Sequence, residues 1–235
     1  LYYAQQQALP VLLIYCFEPS VLQYADSDIR HWRFIYQSLQ EMQTKLVQVN
    51  AKLYIFHDEA ISVFQQLTTA FNIKSIFSHQ ETGNKITYDR DIAVQQFCQQ
   101  NAIEWKEYQQ NGIIRKLKSR KTWEHRWKQK MQETPKLIDD HYHNYAVLDD
   151  TFYQQTKGTE LPAEITTANP NFQPGGESYA WKYLQSFLKE RYVNYSKHIS
   201  KPALSRKGCS RLSPYISYGN ISVRMVYQYT MQHYA

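Results

Sequence analysis

The first half of the chain alternates short apolar runs with amphipathic stretches. The run Pro10–Phe17 is apolar, and Glu18-Pro19-Ser20 ends it, which is typical of a strand buried on both faces. Apolar residues then recur at helical spacing between Asp28 and Val49, and Asp26, Ser27 and Asp28 are ready N-caps. The pattern therefore predicts a buried strand followed by an amphipathic helix.

The same alternation continues to about residue 108. Further strands are predicted at Lys52–Phe56, Ser75–Ser78 and Ile103–Tyr108, and further helices at Asp58–Phe71 and Asp89–Gln100. Strands and helices in this order predict an α/β fold, a Rossmann-like parallel sheet with helices on both faces. The chain contains no Gly-x-Gly-x-x-Gly or Gly-x-x-x-x-Gly-Lys-Ser, so a conventional dinucleotide or P-loop site is not supported.

The second half has a different character. Residues 134–173 contain three prolines and few periodic apolar positions, which favours an interdomain linker. A helix with one apolar face is predicted after Pro174-Gly175-Gly176, and another at Ile221–Tyr227. We expect an α/β domain at 1–133, the linker at 134–173, and the beginning of an all-α domain at 174–235.

Composition places the protein in the soluble globular class. Of 235 residues, 43% are hydrophobic and 20% charged, and the apolar run Leu9–Phe17 is far too short to span a membrane. The three cysteines are odd in number and far apart. This favours a reducing compartment, so we expect a cytoplasmic protein with no disulfide framework, no metal site and no membrane partner.

The net charge of +6 is unevenly distributed along the chain. Residues 113–136 carry nine Lys/Arg against two Glu, residues 189–211 carry seven against one, and the remainder has a net charge of −7. Two basic segments suggest a polyanionic partner, and two solvated helix faces are the alternative. Trp123 and Trp127 lie one helical turn apart on the first segment, where they fit either domain packing or base stacking.

The segment Cys209–Ser213, which precedes Pro214, is a candidate anion-binding site. Proline is tolerated in the first turn of a helix, so a helix is predicted to begin here. Unpaired N–H groups at a helix start, together with the guanidinium of Arg211, suit a phosphate. An ordinary serine-capped helix with a solvated arginine is the alternative.

Several motifs then resemble the photolyase/cryptochrome family. In the second half these are Gly175-Gly176-Glu177, Phe187-Leu188, Arg191, Tyr195, Ser200-Lys201-Pro202, Cys209–Tyr215 and Gly219–Ser222. In the first half they are Glu81-Thr82-Gly83, Tyr88–Asp91 and Gly112–Arg115. The resemblance covers essentially the whole chain and implies an antenna domain, a long connector and the start of a helical FAD-binding domain.

The resemblance also assigns site residues. It implies that Ser210, Arg211, Leu212 and Ser213 line the FAD pyrophosphate and that Tyr195 lies beside the same cofactor. Cys209 stands where the family usually has threonine, and a thiol is the weaker hydrogen-bond donor.

The activity implied by the resemblance is that of a DNA photolyase, a carbon–carbon lyase. Light drives electron transfer from reduced FAD to a pyrimidine dimer flipped out of damaged DNA. We expect the basic segment 189–211 to lie nearest DNA or FAD. A cryptochrome-type blue-light photoreceptor without repair activity and a nucleotide-binding α/β module are the alternatives.

The family's remaining parts are expected outside this chain. The resemblance places a strand with an Arg-Asp-Leu-Arg type motif before Leu1. It places the isoalloxazine contacts, the lesion pocket and the electron-transfer tryptophans after Ala235, so the catalytic residues are unassigned and the fragment alone should not repair DNA. Ile86-Thr87 stand where folate-binding members have Asn-Glu, so a second antenna chromophore would be a flavin or a deazaflavin, unless the pocket is empty.

Overall fold

A computed structural model describes residues 1–110 and 112–234, which form two compact units. The first unit consists of Leu1–Arg33, Met42–Gln109 and Lys136–Ala168. The second consists of Phe34–Glu41, Gln110–Pro135 and Asn169–Ala235.

Within the described residues, these units contain four strands and a series of helices. The strands are β1 (Leu13–Cys16), β2 (Leu53–Phe56), β3 (Ser75–His79) and β4 (Glu104–Tyr108). The helices up to residue 132 are α1 (Tyr2–Gln5), α2 (Pro19–Leu22), α3 (Ile29–Val47), α4 (Ala60–Ala70), α5 (Lys85–Gln100) and α6 (Trp123–Gln132). The later ones are α7 (Asp150–Thr156), α8 (Ala163–Thr166), α9 (Glu177–Lys189), α10 (Tyr195–His198), α11 (Pro202–Gly208), α12 (Ser213–Ser217) and α13 (Val223–Tyr234), with a 3₁₀ turn at Arg191–Asn194.

The first unit has the parallel α/β fold that the sequence predicts. Strand β1 pairs with β2 in parallel, with Leu13 opposite Leu53, and β3 pairs with β4 in parallel, with Ser75 opposite Glu104. In the part of the chain that the structure describes, the four strands therefore form two parallel sheets of two strands each. One apolar cluster packs on β2 around Tyr54 and a second packs α5 on β3 and β4.

Local capping explains where two of the helices begin. Helix α3 begins after Asp28, one of the three predicted N-caps, whose carboxylate accepts a hydrogen bond from the N–H of Arg30 at 2.9 Å. Helix α5 begins at Lys85 rather than at the predicted Asp89. Asn84 caps it by accepting from the N–H of Thr87, so an asparagine one turn upstream had already started the helix.

Residues 136–168, predicted as linker, pack within the first unit. Leu148 is 1% exposed and Ile165 is fully buried. The N–H of Leu148 donates to the hydroxyl of Tyr54 at 2.9 Å, and the guanidinium of Arg33 donates to the carbonyl of Glu164 at 2.9 Å. The domain boundaries 1–133, 134–173 and 174–235 stay a prediction, but this segment contributes side chains to a core.

The second unit is built around one helical core. Its buried members are Phe34, Ala180, Leu184, Leu188, Leu212, Tyr215 and Ile221. The middle of α3 approaches the start of α9 so closely that a Cβ on Gly175 would lie 2.0 Å from the carbonyl oxygen of Phe34. The first turn of α9 is capped by Glu41, which accepts hydrogen bonds from the N–H and the hydroxyl of Ser178. The Gly175-Gly176-Glu177 motif is thus a close helix contact.

Within the described ranges, none of the helices combines the length and apolar character needed to cross a membrane. The three cysteines have free thiols.

Candidate functional site

The segment Cys209–Ser213 connects α11 to α12. Helix α12 begins at Ser213 with Pro214 in its first turn, so the predicted helix start is confirmed. Leu212 occupies the N-cap position, and no side chain caps this helix. Because the side chain of Leu212 has no hydrogen-bond acceptor, the alternative of an ordinary serine-capped helix start is not what the structure shows.

Arg211 has an unusual backbone conformation that Gln173 holds in place. Its φ is +63°, in the left-handed region, which costs a residue with a Cβ about 1 kcal/mol. The guanidinium donates to the side-chain oxygen of Gln173 at 2.5 Å, and the amide of Gln173 donates back to the carbonyl of Arg211 at 3.0 Å. Gln173 therefore fixes both the guanidinium and the carbonyl of Arg211. The alternative interpretation, a serine-capped helix, predicted a solvated Arg211 side chain instead.

Arg191, in the 3₁₀ turn, holds the other end of the segment. Its guanidinium donates to the carbonyl oxygens of Cys209 and Ser210, the second at 3.3 Å. It also donates to the carbonyl of Tyr183 at 2.7 Å and to the hydroxyl of Ser186 at 3.0 Å, both on α9. Burial lowers the pKa of this guanidinium, which still carries its charge at neutral pH.

Several polar groups of the segment remain available to a ligand. Within residues 1–110 and 112–234, the backbone N–H groups of Ser210, Arg211 and Ser213 donate to no acceptor. The hydroxyl of Ser210 accepts only a long bond, 3.5 Å, from the N–H of Leu212. Hydroxyls and unpaired N–H groups beside fixed guanidinium groups form a donor set suited to an anion.

The other two predicted site residues occupy different environments. Leu212 is 5% exposed and belongs to the helical core, so only its backbone can face a ligand. Tyr195 is 40% exposed, and its ring lies edge-on to Phe187 with centroids 5.8 Å apart. The guanidinium of Arg191 lies 5.7 Å from the centroid of Phe187, so two residues, Phe187 and Arg191, separate Tyr195 from Cys209 and Ser210.

Sequence reasoning missed the partners that shape this segment. Arg191 appeared only as part of a motif, and Gln173 fell in the predicted linker. Tyr215 follows the segment, is fully buried, and donates its hydroxyl to the carbonyl of Pro174 at 2.7 Å, and burial raises its pKa. No spacing rule relates these side chains to residues 209–213, because their contacts are tertiary.

The first unit has a separate cluster of charges after β1. The carboxylate of Glu18 is 6% exposed and lies 2.8 Å from the guanidinium of Arg90, which also pairs with Asp91 at 3.1 Å. The second oxygen of Glu18 accepts a hydrogen bond from the N–H of Ala60 at 3.2 Å. Burial, reinforced by Glu18, raises the pKa of the Cys16 thiol to about 12.

Comparison with known proteins decides the family. The family model for DNA photolyase matches residues 1–136. The chain belongs to the DNA photolyase family. This confirms the resemblance drawn from the sequence motifs.

The curated relatives of this chain include both cryptochromes and a deoxyribodipyrimidine photo-lyase. Cryptochrome-1 of Macaca fascicularis is 21% identical over 94% of this chain and 41% of its own length. The deoxyribodipyrimidine photo-lyase of Alkalihalophilus pseudofirmus is 23% identical over 86% of this chain and 44% of its own length. The chain thus spans less than half the length of these relatives.

Solved photolyase-family structures share the fold. A cryptochrome from Synechocystis matches 99% of this chain and 52% of its own with a TM-score of 0.75 at 18% identity. An archaeal photolyase from Sulfolobus tokodaii, whose structure is described as containing two FAD molecules, matches 98% of this chain and 50% of its own with a TM-score of 0.71 at 20% identity. The predicted fold class is therefore confirmed.

Proposed function

We propose that this chain is part of a photolyase-type flavoprotein and that its Cys209–Ser213 segment binds the pyrophosphate of FAD. The observation that carries the proposal is the set of unpaired donors on a segment fixed by Arg191 and Gln173. An anion with several acceptor oxygens satisfies donors of this kind. Tyr195 contacts the same cofactor.

The residues present fit the diphosphate part of FAD. Ser210 and Ser213 offer hydroxyls and N–H groups, and Arg211 adds a guanidinium whose charge favours the anion. Cys209 contributes its carbonyl to Arg191 and offers only a thiol to a ligand. FAD, when bound, supplies light absorption and electron transfer, and these residues supply its position.

The full-length protein, we propose, repairs pyrimidine dimers in DNA by light-driven electron transfer. Two features favour a DNA partner, namely the deoxyribodipyrimidine photo-lyase among its relatives and the two basic segments. On α6, Trp127 packs edge-on to Tyr227 with centroids 5.4 Å apart, so this ring serves packing. Trp123 is 39% exposed on the same helix and is accessible to a partner.

A photoreceptor is the second candidate. Cryptochromes are among both the curated relatives and the similar structures. Such a protein would bind FAD with the same segment and change partner binding in light without repairing DNA. In either case a second antenna chromophore remains part of the proposal without an assigned identity, and the cytoplasm remains the proposed location.

The visible spectrum of the purified full-length protein, followed by dimer repair under blue light, tests these proposals. A flavin spectrum with light-dependent repair supports the photolyase, and a flavin spectrum without repair supports the photoreceptor. Absence of any flavin refutes both and leaves a nucleotide-binding α/β module.

Substitution of Arg211 tests the site itself. Arg211→Ala should weaken FAD binding by about 1.5–3 kcal/mol, the contribution typical of a hydrogen bond to a charged group. Ser213→Ala should cost less, because it removes one neutral hydroxyl. Arg126→Ala, an exposed arginine on α6, is the matched control. Equal flavin content in Arg211→Ala and the control would refute the assignment.

A further inference from the structure

Arg191 reaches two successive carbonyl groups of the candidate site with one side chain. Its guanidinium donates to the carbonyl oxygens of Cys209 and Ser210, while α9 holds the guanidinium through Tyr183 and Ser186. The rings of Tyr183 and Phe187 lie beside it, each with its centroid 5.7 Å from the guanidinium carbon. The guanidinium is therefore anchored on one helix and presents its remaining donors to the segment.

This contact determines where two backbone N–H groups point. In a planar trans peptide the C=O of one residue and the N–H of the next point in opposite directions. Among the described residues there is no cis peptide bond. Since the carbonyls of Cys209 and Ser210 converge on Arg191, the N–H groups of Ser210 and Arg211 are directed away from it.

These two N–H groups belong to the set that donates to no acceptor of the described residues. The left-handed conformation of Arg211 follows directly after them, with φ of +63°. Consecutive N–H groups next to a left-handed residue form a concave anion site, and the oxygens of a phosphate ester fit such a site.

We infer that Arg191 is a positioning residue that aims the N–H groups of Ser210 and Arg211 at a phosphate. It acts through the two carbonyls and does not itself contact the ligand. This inference rests on the proposed function, since the phosphate is taken to be that of FAD. Beyond the proposed function, Arg191 determines how tightly the protein binds the phosphate groups of FAD and does not determine how tightly it binds the flavin ring.

The fork of an arginine suits this position, because one side chain holds both carbonyls and two groups of α9. The guanidinium is planar and holds its N–H donors in a fixed fork. Nη1 donates to the carbonyl of Cys209, and the two N–H groups of Nη2 are shared among the carbonyls of Tyr183 and Ser210 and the hydroxyl of Ser186. A lysine at position 191 would keep the charge but would carry its three donors on a single nitrogen, too few and too localised for the four acceptors that the guanidinium holds here.

The test compares two ligands that differ in their phosphates. Full-length protein freed of flavin is titrated with FAD and, separately, with riboflavin, and binding is followed by flavin fluorescence. Arg191→Lys should raise the Kd for FAD about tenfold or more and change the Kd for riboflavin less than about twofold. Arg126→Lys, the same substitution on the exposed face of α6, should leave both constants unchanged.

Two outcomes overturn the inference while the proposed function survives. One is an Arg191→Lys protein that binds FAD as tightly as wild type. The other is an equal loss of FAD and riboflavin affinity, which would mean that Arg191 has a general structural role. Wild-type protein that binds neither ligand refutes the proposed function and the inference together.

A milder variant keeps the test available if Arg191→Lys does not fold. Ser186→Ala removes one acceptor of the guanidinium and leaves both carbonyl bonds in place. It should raise the Kd for FAD about twofold with riboflavin unaffected. The amide resonances of Ser210 and Arg211 should in addition shift when inorganic pyrophosphate is added to wild-type protein, and unshifted resonances would contradict the inference.

Discussion

Replacing Gly175 by alanine should destabilise the second unit strongly. The added Cβ would lie 2.0 Å from the carbonyl oxygen of Phe34 and 2.5 Å from the hydroxyl of Ser38. Contacts under 3.0 Å are essentially never seen for a real Cβ, so α3 and the start of α9 would have to separate by at least 1 Å. The obstacle is backbone on α3, which a change of side-chain rotamer cannot relieve.

The magnitude follows from what the separation breaks. The N–H of Gly175 donates to Gln37 at 2.9 Å and the N–H of Gly176 donates to Asn220 at 3.0 Å. Losing two such bonds costs about 2 kcal/mol, and the overpacking itself costs about 1–3 kcal/mol. The free energy of unfolding should therefore fall by about 3–5 kcal/mol. This is a large share of the about 5–15 kcal/mol by which folded proteins are typically stable.

Thermal unfolding of the full-length protein measures this loss. A unit of about 100 residues should melt at least about 12 °C lower. Gly83→Ala is the matched control, because its Cβ would meet only the side chains of Thr87 and Glu81, at 2.9 and 3.0 Å. A Gly175→Ala protein that melts within about 1 °C of that control would refute the close approach of α3 and α9.

Three further predictions address stability, thiol chemistry and DNA binding. Tyr215→Phe removes the hydrogen bond to the carbonyl of Pro174 and should lower the free energy of unfolding by about 1–2 kcal/mol, and an unchanged urea midpoint would contradict it. Cys16, with its pKa raised to about 12, holds less thiolate than a free cysteine at any pH below that value. Its alkylation by iodoacetamide at pH 8.5 should be at least about tenfold slower than that of glutathione, and an equal rate would contradict the burial. Exchanging both exposed Lys118 and Lys121 for glutamate should weaken binding to undamaged duplex DNA and reduce its salt dependence, whereas unchanged binding would mean that this basic segment is only a solvated surface.

The elements of this protein follow largely from patterns local in the chain. The apolar run before Glu18 became β1, and the helical spacing after Asp28 became α3, since periodicity and capping act over a few residues. Motifs such as Cys209–Tyr215 were enough to indicate the family. Local patterns could not show that the middle of α3 belongs to the core around Tyr215, because burial depends on which distant helix packs against it.

What the sequence determined by itself is therefore the order of strands and helices, the uneven charge and the segment that holds the candidate site. Only the tertiary structure decided how that segment is held. Arg191 lies 18 residues before Cys209, and Gln173 lies 38 before Arg211, separations that no helical or strand period relates. A hydrogen bond forms where folding brings a donor and an acceptor within about 3 Å, and that distance is set by the packing of α9 and α12 on their common core.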